Sequence, residues 1–311
     1  MNFQQLEYVL AVHKHKHFGL AAESCHITQA TLSAMIKKLE QELNIIIFDR
    51  SRKPVKTTDV GLIFIEKSKL ILLQKNALFE LNNTSEMLEG EITIGVIPTV
   101  ATSLLPLILP EIMSKNPELT LTIVEVTTEQ IKQQLVMDKI DLGIVATPIK
   151  DDRFEEHIMY YEPMMVYGIE NKNKSYVTST DVKNQSVWLL EEGHCFRNQM
   201  LTICEIQEKE MKQSNLNFKG NSFETLLNLA NTFGGLTLIP ELYYNDLNEV
   251  KKAKTKHFEP PIPVREISII NYRQFANAKA IAYLSKIIQE IVSQTLTTNN
   301  YNKQDLDIIG I

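Results

Sequence analysis

Between residues 92 and 146 the chain alternates short apolar strands with amphipathic helices, and this order restricts the fold more than any other feature. The pattern predicts three strands and two intervening helices: strands at 92–96, 119–126 and 142–146, and helices at 104–113 and 128–137. Pro106 and Pro110 fall inside the first helix. A β-α-β-α-β order favours a parallel sheet with helices on its faces, so this region is predicted to be α/β.

A second series of the same kind follows and extends the α/β pattern to residue 295. Strands are predicted at 164–166, 187–190, 236–239 and 265–272, and helices at 196–204, 223–230 and 278–295. Residues 297–311 continue neither pattern and are predicted to be a frayed tail.

The first 58 residues have a different organisation, with apolar residues at helical spacing. Thr28 is a good N-cap for a helix over 29–43, and the short connection Cys25–Ile27 before it predicts a helix-turn-helix. A strand at Ile45–Phe48 and a returning strand at Val55–Thr57 would form a hairpin, the candidate wing.

Several side chains of this N-terminal region are suited to contact base edges and phosphates. The candidates are Thr28, Gln29, Thr31, Ser33 and Lys37 on the second helix, and Arg50, Arg52 and Lys53 in the turn of the hairpin. The net charge of the chain is −6, which alone argues against nucleic acid. Residues 1–58 nevertheless carry eight Lys/Arg and five Asp/Glu, a net charge of +3, and the remainder therefore carries −9. A basic head on an acidic body suits a DNA-binding module attached to a sensor.

A long helix is predicted from Asp59, with Thr58 as its cap. Apolar residues from Leu62 to Leu88 recur over roughly eight turns. The stripe could be an internal core helix, but contact with a second copy of the chain is favoured because a lone helix has no core of its own.

The composition of the chain predicts its cellular location. No apolar stretch reaches the ~18 residues of a membrane helix, and the N-terminus lacks the pattern of a signal peptide, so a cytoplasmic protein without membrane contact is predicted. Three cysteines there do not form a structural disulfide framework, and no zinc-ligand cluster or cofactor is predicted. His13 and His17 lie one helical turn apart, but a solvated helix edge is favoured over a metal site.

Cys195 and Cys204 are the candidate reactive residues. His194 precedes the first thiol and Arg197 follows it by two positions, and both can stabilise a thiolate. Two ordinary buried thiols remain the alternative. Cys25 is interpreted as core packing of the helix-turn-helix.

The chain resembles the LysR-type transcriptional regulators over nearly its whole length. The residues that carry this resemblance are Leu6–Val9, Phe18, Ala21–Ala22, Thr28–Ser33, Ile36–Glu40, Leu43, Phe48–Arg50, Thr57–Thr58 and Gly61. Within the family it is similar to the OxyR group of hydrogen-peroxide sensors. That similarity depends on His15–Phe18, Ser24–His26, Ile97–Val100, Leu104–Pro106 and above all Glu192–Gln199 with Cys204 downstream.

The resemblance implies a winged helix-turn-helix, a dimerising linker helix and a two-lobed sensor like a periplasmic binding protein. The expected domains are 1–58 for DNA binding, 59–89 for the linker, 90–163 with 266–311 for lobe I, and 164–265 for lobe II. The implied partners are double-stranded promoter DNA, hydrogen peroxide, further copies of the chain in a homodimer or homotetramer, and RNA polymerase. A regulator of this kind is not expected to be an enzyme.

The resemblance also implies roles for individual residues. Cys195 is expected to react with peroxide and Cys204 to resolve the product as a disulfide. The residues implied to line the peroxide pocket are Thr99, Thr128, His194 and Arg273. Thr99 is predicted at the end of the first sensor strand and Thr128 at the start of the helix after the second.

The predicted helix at 196–204 conflicts with a disulfide in the same fold. Nine residues at ~1.5 Å rise place the two Cα atoms ~13 Å apart, whereas a disulfide needs them within ~7 Å. Oxidation would therefore require this segment to unwind.

Three functions remain open: a peroxide-responsive regulator, a LysR-type regulator that reversibly binds a small metabolite, and a thiol peroxidase.

Overall fold

The computed structural model of the chain describes residues 1–80, 87–169, 176–183, 185–191, 195–204, 220, 222–272 and 277–310. It divides into two compact units, Met1–Ser85 and Glu86–Ile311. No helix in the described part of the chain combines the length and the apolar character needed to cross a bilayer.

In its described residues, 1–80, the first unit consists of four helices and a small hairpin. Its elements are α1 (Phe3–His15), α2 (Phe18–Ser24), α3 (Gln29–Leu43), β1 (Phe48–Asp49), β2 (Lys56–Thr57) and α4 (Asp59–Glu80). The Thr28 hydroxyl accepts a hydrogen bond from the Thr31 N–H at 3.2 Å, which confirms the predicted cap of α3. Leu32, Ile36 and Leu39 form the buried face of α3 against the other helices, so the helix-turn-helix is confirmed.

The hairpin is shorter than the sequence pattern predicts. Of the predicted strand Ile45–Phe48, only Phe48 pairs with β2. Asn44 ends α3 in a left-handed conformation with φ of 52°. The Glu40 carboxylate then accepts hydrogen bonds from the backbone N–H groups of Ile47 at 2.8 Å and Phe48 at 3.2 Å. These bonds to the helix replace strand pairing for the first part of the segment.

Helix α4 begins where the sequence predicts. The Thr58 hydroxyl accepts from the Gly61 N–H at 2.9 Å, and Gly61 lies so close to the Ile47 carbonyl that a Cβ would collide with it. Ile65 is buried in the core of the first unit, whereas Leu62 and Ile63 are 47% and 59% exposed. One side of α4 therefore has a core, and the side carrying Leu62 and Ile63 has none in the described chain.

The predicted apolar stripe of this helix extends too far. Leu81 lies outside the described residues. Leu88 is buried in the core of the second unit, where its N–H donates to Asn116 Oδ1 at 2.6 Å. Leu88 is therefore a core residue of the sensor and not part of the linker stripe.

The described part of the second unit contains a nine-stranded sheet. Its strands are β3 (Gly90–Val96), β4 (Leu119–Glu125), β5 (Leu142–Thr147), β6 (Phe154–Tyr167), β7 (Tyr176–Val177), β8 (Thr237–Pro240), β9 (Thr255–Phe258), β10 (Ile262–Tyr272) and β11 (Leu306–Ile308). Their order is β4-β3-β5-β10-β6-β9-β7, with β8 beside β6 and β11 beside β10. β3 is parallel to β4 and β5, as predicted, but β10 is antiparallel to β5 and β6.

The helices of this unit are α5 (Pro98–Lys115), α6 (Thr128–Val136), α7 (Ser179–Val182), α8 (Cys195–Cys204), α9 (Phe223–Phe233), α10 (Glu241–Asn245), α11 (Glu249–Lys252) and α12 (Ala278–Ser293). α5 starts six residues before the predicted Leu104. Pro98 occupies its first turn, where a missing N–H is tolerated. Thr99 therefore lies in the first turn of α5 and not at the end of a strand, which corrects the predicted position.

Two apolar clusters give the unit its two lobes. The first includes Val96, Leu104, Ile144 and Ile288, and the second includes Met164–Tyr167, Phe196, Met200 and Leu226. β6 is longer than the predicted strand at 164–166 and contributes to both, with Tyr160 in the first cluster and Met165 in the second. The α/β architecture of the prediction is confirmed, and the predicted lobe boundaries stay a prediction.

The predicted strand at 187–190 is wrong. Val187 makes only an isolated parallel bridge to Leu236. The Trp188 N–H donates to the Leu236 carbonyl and the Leu236 N–H to the Ser186 carbonyl, both at 2.8 Å. The apolar residues of this segment led to the prediction of a strand, but its backbone pairing with the segment around Leu236 does not continue along 188–190.

The predicted frayed tail is also wrong. Leu306–Ile308 forms β11, which pairs in parallel with Ile262–Val264 of β10. Ile309 is 6% exposed and belongs to the second apolar cluster. A three-residue strand has no periodicity to recognise, and only its long-range partner reveals it.

Candidate functional site

Cys195 opens α8 at the place where the two lobes meet. Its side chain packs partly buried against the first cluster, while the next residue, Phe196, lies in the second. The Cys195 sulfur is 3.0 Å from the Thr128 hydroxyl at the start of α6. Thr127 caps that helix with its own side chain, so the Thr128 hydroxyl is available to the sulfur. The structure thus brings together two of the predicted site residues.

The described surroundings of the Cys195 thiol shift its pKa, while the predicted role of His194 stays a prediction. Burial raises the pKa of Cys195, and the hydrogen bond from Thr128 and the backbone hydrogen bond at Cys195 itself only partly oppose it. Lys132 lowers this pKa and Glu129 raises it. Arg197 donates from Nη1 to the Leu190 carbonyl at 3.2 Å. Because burial is the largest effect, the pKa of the Cys195 thiol is raised above its ordinary value in the described surroundings.

A buried ionic network lies beside this cysteine. Arg265 is 1% exposed and pairs with Glu162 across β10 and β6, with Nη2 2.7 Å and Nε 2.8 Å from the carboxylate. It also donates to the Thr99 hydroxyl at 3.1 Å and to the Thr99 carbonyl at 2.9 Å. The guanidinium lies 5.1 Å from the centre of the Phe196 ring. Thr99 is therefore linked to the residue after Cys195 through Arg265.

Arg265 and Glu162 are the residues that sequence reasoning missed. Both stand inside largely apolar strand sequences, and buried charges occur almost always as pairs. A charged residue inside a strand with apolar neighbours was therefore an available signal. The predicted pocket residues His194 and Arg273 lie outside the described residues.

Cys204 is at the opposite end of the same helix and is inaccessible. It is 1% exposed, and burial raises its pKa to about 12. α8 is continuous from Cys195 to Cys204, and both thiols are free. Nine steps of ~1.5 Å separate the two Cα atoms by ~13.5 Å, about twice the limit for a disulfide. The described fold therefore cannot contain the bond.

The predicted DNA-contacting residues of the first unit form a second candidate site. Thr28, Gln29, Thr31 and Lys37 are exposed, and Ser33 is half-buried. Arg50 joins α3 to the hairpin: it donates to Ser33 at 3.2 Å and pairs with Glu40 at 2.8 Å.

The other cations of the hairpin turn are exposed. Arg52 pairs with Asp49 at 3.3 Å, and Lys53 is exposed. The structure places the helix and the turn on one surface, because Arg50 bonds to α3, and the DNA-contact roles themselves stay predictions.

His13 and His17, the two histidines considered for a metal site, have structural partners. His13 Nδ1 is 2.9 Å from the Thr57 hydroxyl, and His17 Nδ1 accepts from the Gly19 and Leu20 N–H groups at the start of α2. No group of three or more His, Cys, Asp or Glu side chains suited to a metal ion occurs among the described residues.

The bond between Thr128 and Cys195 predicts a measurable effect. Thr128→Val removes a hydroxyl that lowers the pKa of Cys195, so that pKa should rise further. Alkylation of Cys195 by iodoacetamide at pH 7.5 is expected to slow roughly three- to tenfold. Thr122→Val is the control, since Thr122 is an exposed strand residue. Equal alkylation rates in the two variants would contradict this role.

Two family models account for most of the chain. Residues 3–62 match the bacterial regulatory helix-turn-helix protein model of the lysR family, and residues 85–291 match the LysR substrate binding domain. The chain belongs to the LysR family. Among curated LysR-family relatives, the hydrogen peroxide-inducible genes activator of Haemophilus influenzae is 34% identical over 276 residues, covering 87% of this chain and 90% of the relative.

Further relatives are members of the OxyR group. The DNA-binding transcriptional dual regulator OxyR of Escherichia coli K12 is 34% identical over 246 residues, covering 78% of this chain and 80% of that protein. A full-length OxyR variant from Pseudomonas aeruginosa superposes with a TM-score of 0.69 at 28% identity, covering 93% of this chain and 95% of that one. The predicted resemblance to LysR-type, OxyR-like regulators is confirmed.

Proposed function

We propose that this LysR-family protein is a DNA-binding transcription regulator that senses hydrogen peroxide by oxidation of Cys195 and disulfide formation with Cys204. The observation that carries the proposal is the placement of the two thiols at opposite ends of one helix. Cys195 is bonded to Thr128 at the junction of the lobes, and Cys204 is buried in the second. The names of the OxyR-like relatives support peroxide as the stimulus.

The chemistry needs only peroxide as the oxidant. The Cys195 thiolate attacks one peroxide oxygen, the O–O bond breaks and hydroxide leaves, which gives a sulfenic acid. The Cys204 sulfur loses its proton and attacks the Cys195 sulfur. The S–S bond forms, the S–O bond breaks, and the departing hydroxide takes up a proton as water.

The second step requires a change of shape. With a pKa of about 12, Cys204 supplies almost no thiolate at neutral pH while it remains buried. The cysteines must also approach from ~13.5 Å to within ~7 Å. Unwinding of α8 satisfies both requirements, and it removes Phe196 and Met200 from the second cluster. We infer that this rearrangement alters the packing between copies of the chain.

The DNA-binding part of the proposal concerns the first unit. α3 would enter the major groove of promoter DNA, with Gln29 and Thr31 toward the bases, and the basic turn at Arg50–Lys53 would follow the phosphates. The exposed apolar residues Leu62 and Ile63 of α4 would pair with a second copy in a homodimer, and two dimers would form a homotetramer. We propose promoters of antioxidant genes as the targets, RNA polymerase as the further partner and the cytoplasm as the location.

Thiol mapping with DNA footprinting tests this function. The full-length protein, bound to DNA fragments that it selects from its own genome, is treated briefly with near-stoichiometric peroxide. Mass spectrometry is expected to find a disulfide between Cys195 and Cys204 with Cys25 still alkylatable, and the footprint should change until a reductant is added. A footprint that responds to a small metabolite while the thiols stay unchanged would instead support a metabolite-responsive regulator. Many turnovers of peroxide in the presence of a reductant would support a peroxidase.

A further inference from the structure

The C-terminal segment contacts the helix that carries both reactive cysteines. β11 pairs with β10, and the Ile309 N–H after it donates to the Val264 carbonyl at 2.9 Å. The Ile309 side chain is 6% exposed and shares the second cluster with Phe196, Met200 and Cys204 of α8. The neighbouring Ile308 side chain is 48% exposed.

A hydrogen bond joins the same two elements. Gln199 lies midway along α8 and is 0% exposed. Its Nε2 donates to the Ile309 carbonyl at 3.0 Å, and its Oε1 makes no hydrogen bond within the described chain. A buried amide without a partner is costly. The buried position of Gln199 on α8 therefore depends on the C-terminal segment.

We propose that residues 306–310 form a C-terminal latch, which holds α8 in its helical form through Gln199 and Ile309 and thereby sets the rate of disulfide formation. This inference rests on the proposed function, because it concerns the second of the two redox steps. Gln199 is a positioning residue here: it contacts neither peroxide nor the reacting sulfur atoms, and it acts through the helix.

The latch affects the two steps differently. Attack on peroxide uses Cys195 at the start of α8 and needs no unwinding of the middle of the helix. Formation of the S–S bond requires the intervening turns to open, and Gln199 must then leave the Ile309 carbonyl. The contact therefore opposes only the second step. Oxidation, in turn, removes the contacts of Ile309 with α8 and leaves the segment held only by β10, so its amide protection should fall.

A matched pair of substitutions tests the latch in the full-length protein. Ile309→Ala removes buried apolar contacts with α8, and Ile308→Ala removes an exposed side chain of the adjacent residue. After a peroxide pulse, dimedone labelling follows the sulfenic acid and differential alkylation follows the disulfide. Ile309→Ala is expected to speed conversion of sulfenic acid to disulfide roughly tenfold, with the rate of sulfenic acid formation unchanged. Ile308→Ala should match the wild type in both steps.

Gln199→Met distinguishes action through the hydrogen bond from a general loss of packing. Met is similar in volume to Gln but does not donate to the Ile309 carbonyl. If the contacts act together, the Ile309→Ala effect should be at least threefold smaller in the Gln199→Met background, a coupling of about 0.6 kcal/mol. Additive effects, or acceleration of the first step by Ile309→Ala, would overturn the latch.

Hydrogen exchange on the wild-type protein gives a test without substitutions. Amide protection over 306–309 should fall on oxidation and return on reduction, and equal protection in both states would contradict the inference. If no disulfide forms even in the wild type, the proposed function itself is wrong. If it forms at the same rate in wild type, Ile309→Ala and Ile308→Ala, only the latch is wrong.

Discussion

Cys195→Ser is expected to abolish the peroxide response while leaving binding of the untreated protein to DNA within about twofold of wild type. Serine has a similar size and keeps a hydroxyl near Thr128, so the start of α8 should be preserved. It cannot form a sulfenic acid, and without that intermediate Cys204 has no electrophile to attack. The change in the footprint after peroxide should therefore fall to background.

Two further cysteine variants complete this experiment. Cys204→Ser should retain the first oxidation but lose its resolution, so dimedone labelling of Cys195 should persist for longer than in the wild type. Cys25→Ser is the matched control, since Cys25 lies at the end of α2 in the first unit, and it should respond like the wild type. A full peroxide response in Cys195→Ser would remove Cys195 as the sensor.

Arg265→Met is expected to lower the free energy of unfolding of the sensor by about 3–5 kcal/mol. Both partners of the Arg265–Glu162 pair are 1% exposed at their side chains, so the substitution leaves a buried carboxylate without its cation. It also removes both hydrogen bonds to Thr99 at the start of α5. Urea unfolding of the full-length protein, followed by tryptophan fluorescence of Trp188, measures the loss.

A second substitution separates the unpaired charge from lost packing. Adding Glu162→Gln to Arg265→Met removes the uncompensated carboxylate and should recover part of the stability, because the amide can still accept from the Leu242 N–H. Lys115→Met is the control, since it breaks an exposed pair with Glu111 and should leave the urea midpoint unchanged. If Arg265→Met behaves like Lys115→Met, the buried network does not stabilise the sensor.

Local signals in the sequence were sufficient for much of the fold. Thr28 and Thr58 marked the starts of α3 and α4 correctly, because an N-cap acts within one helical turn. The alternation of apolar and polar residues at 119–126 predicted β4 correctly, because it too is a pattern of near neighbours in the sequence. The predictions for 187–190 and for the C-terminal strand were wrong. Whether these short segments form strands depends on pairing with residues far away in the sequence, and their own residues do not indicate that pairing.

The contact at the start of α8 agrees with the residues that the sequence put forward, but its electrostatics were not predictable. The two cysteines came from the sequence and Thr128 from the family resemblance, and the structure joins Thr128 to Cys195. The expected activation by neighbours in sequence did not account for burial, which depends on packing between lobes and raises the pKa of Cys195. Arg265 was missed because its partner Glu162 is 103 residues away along the chain.

The long ladder between β6 and β10 limits how the sensor can move. Nine residue pairs connect the strands, from Phe154 with Tyr272 to Pro163 with Val264, and β6 carries side chains into both apolar clusters. All nine pairs lie in the part of β6 before the second cluster, because Met164–Tyr167 pair with β8 and β9 instead. We therefore expect the ladder to keep its register when α8 unwinds, so that oxidation reshapes the surface of the second lobe and leaves the sheet of the first unchanged.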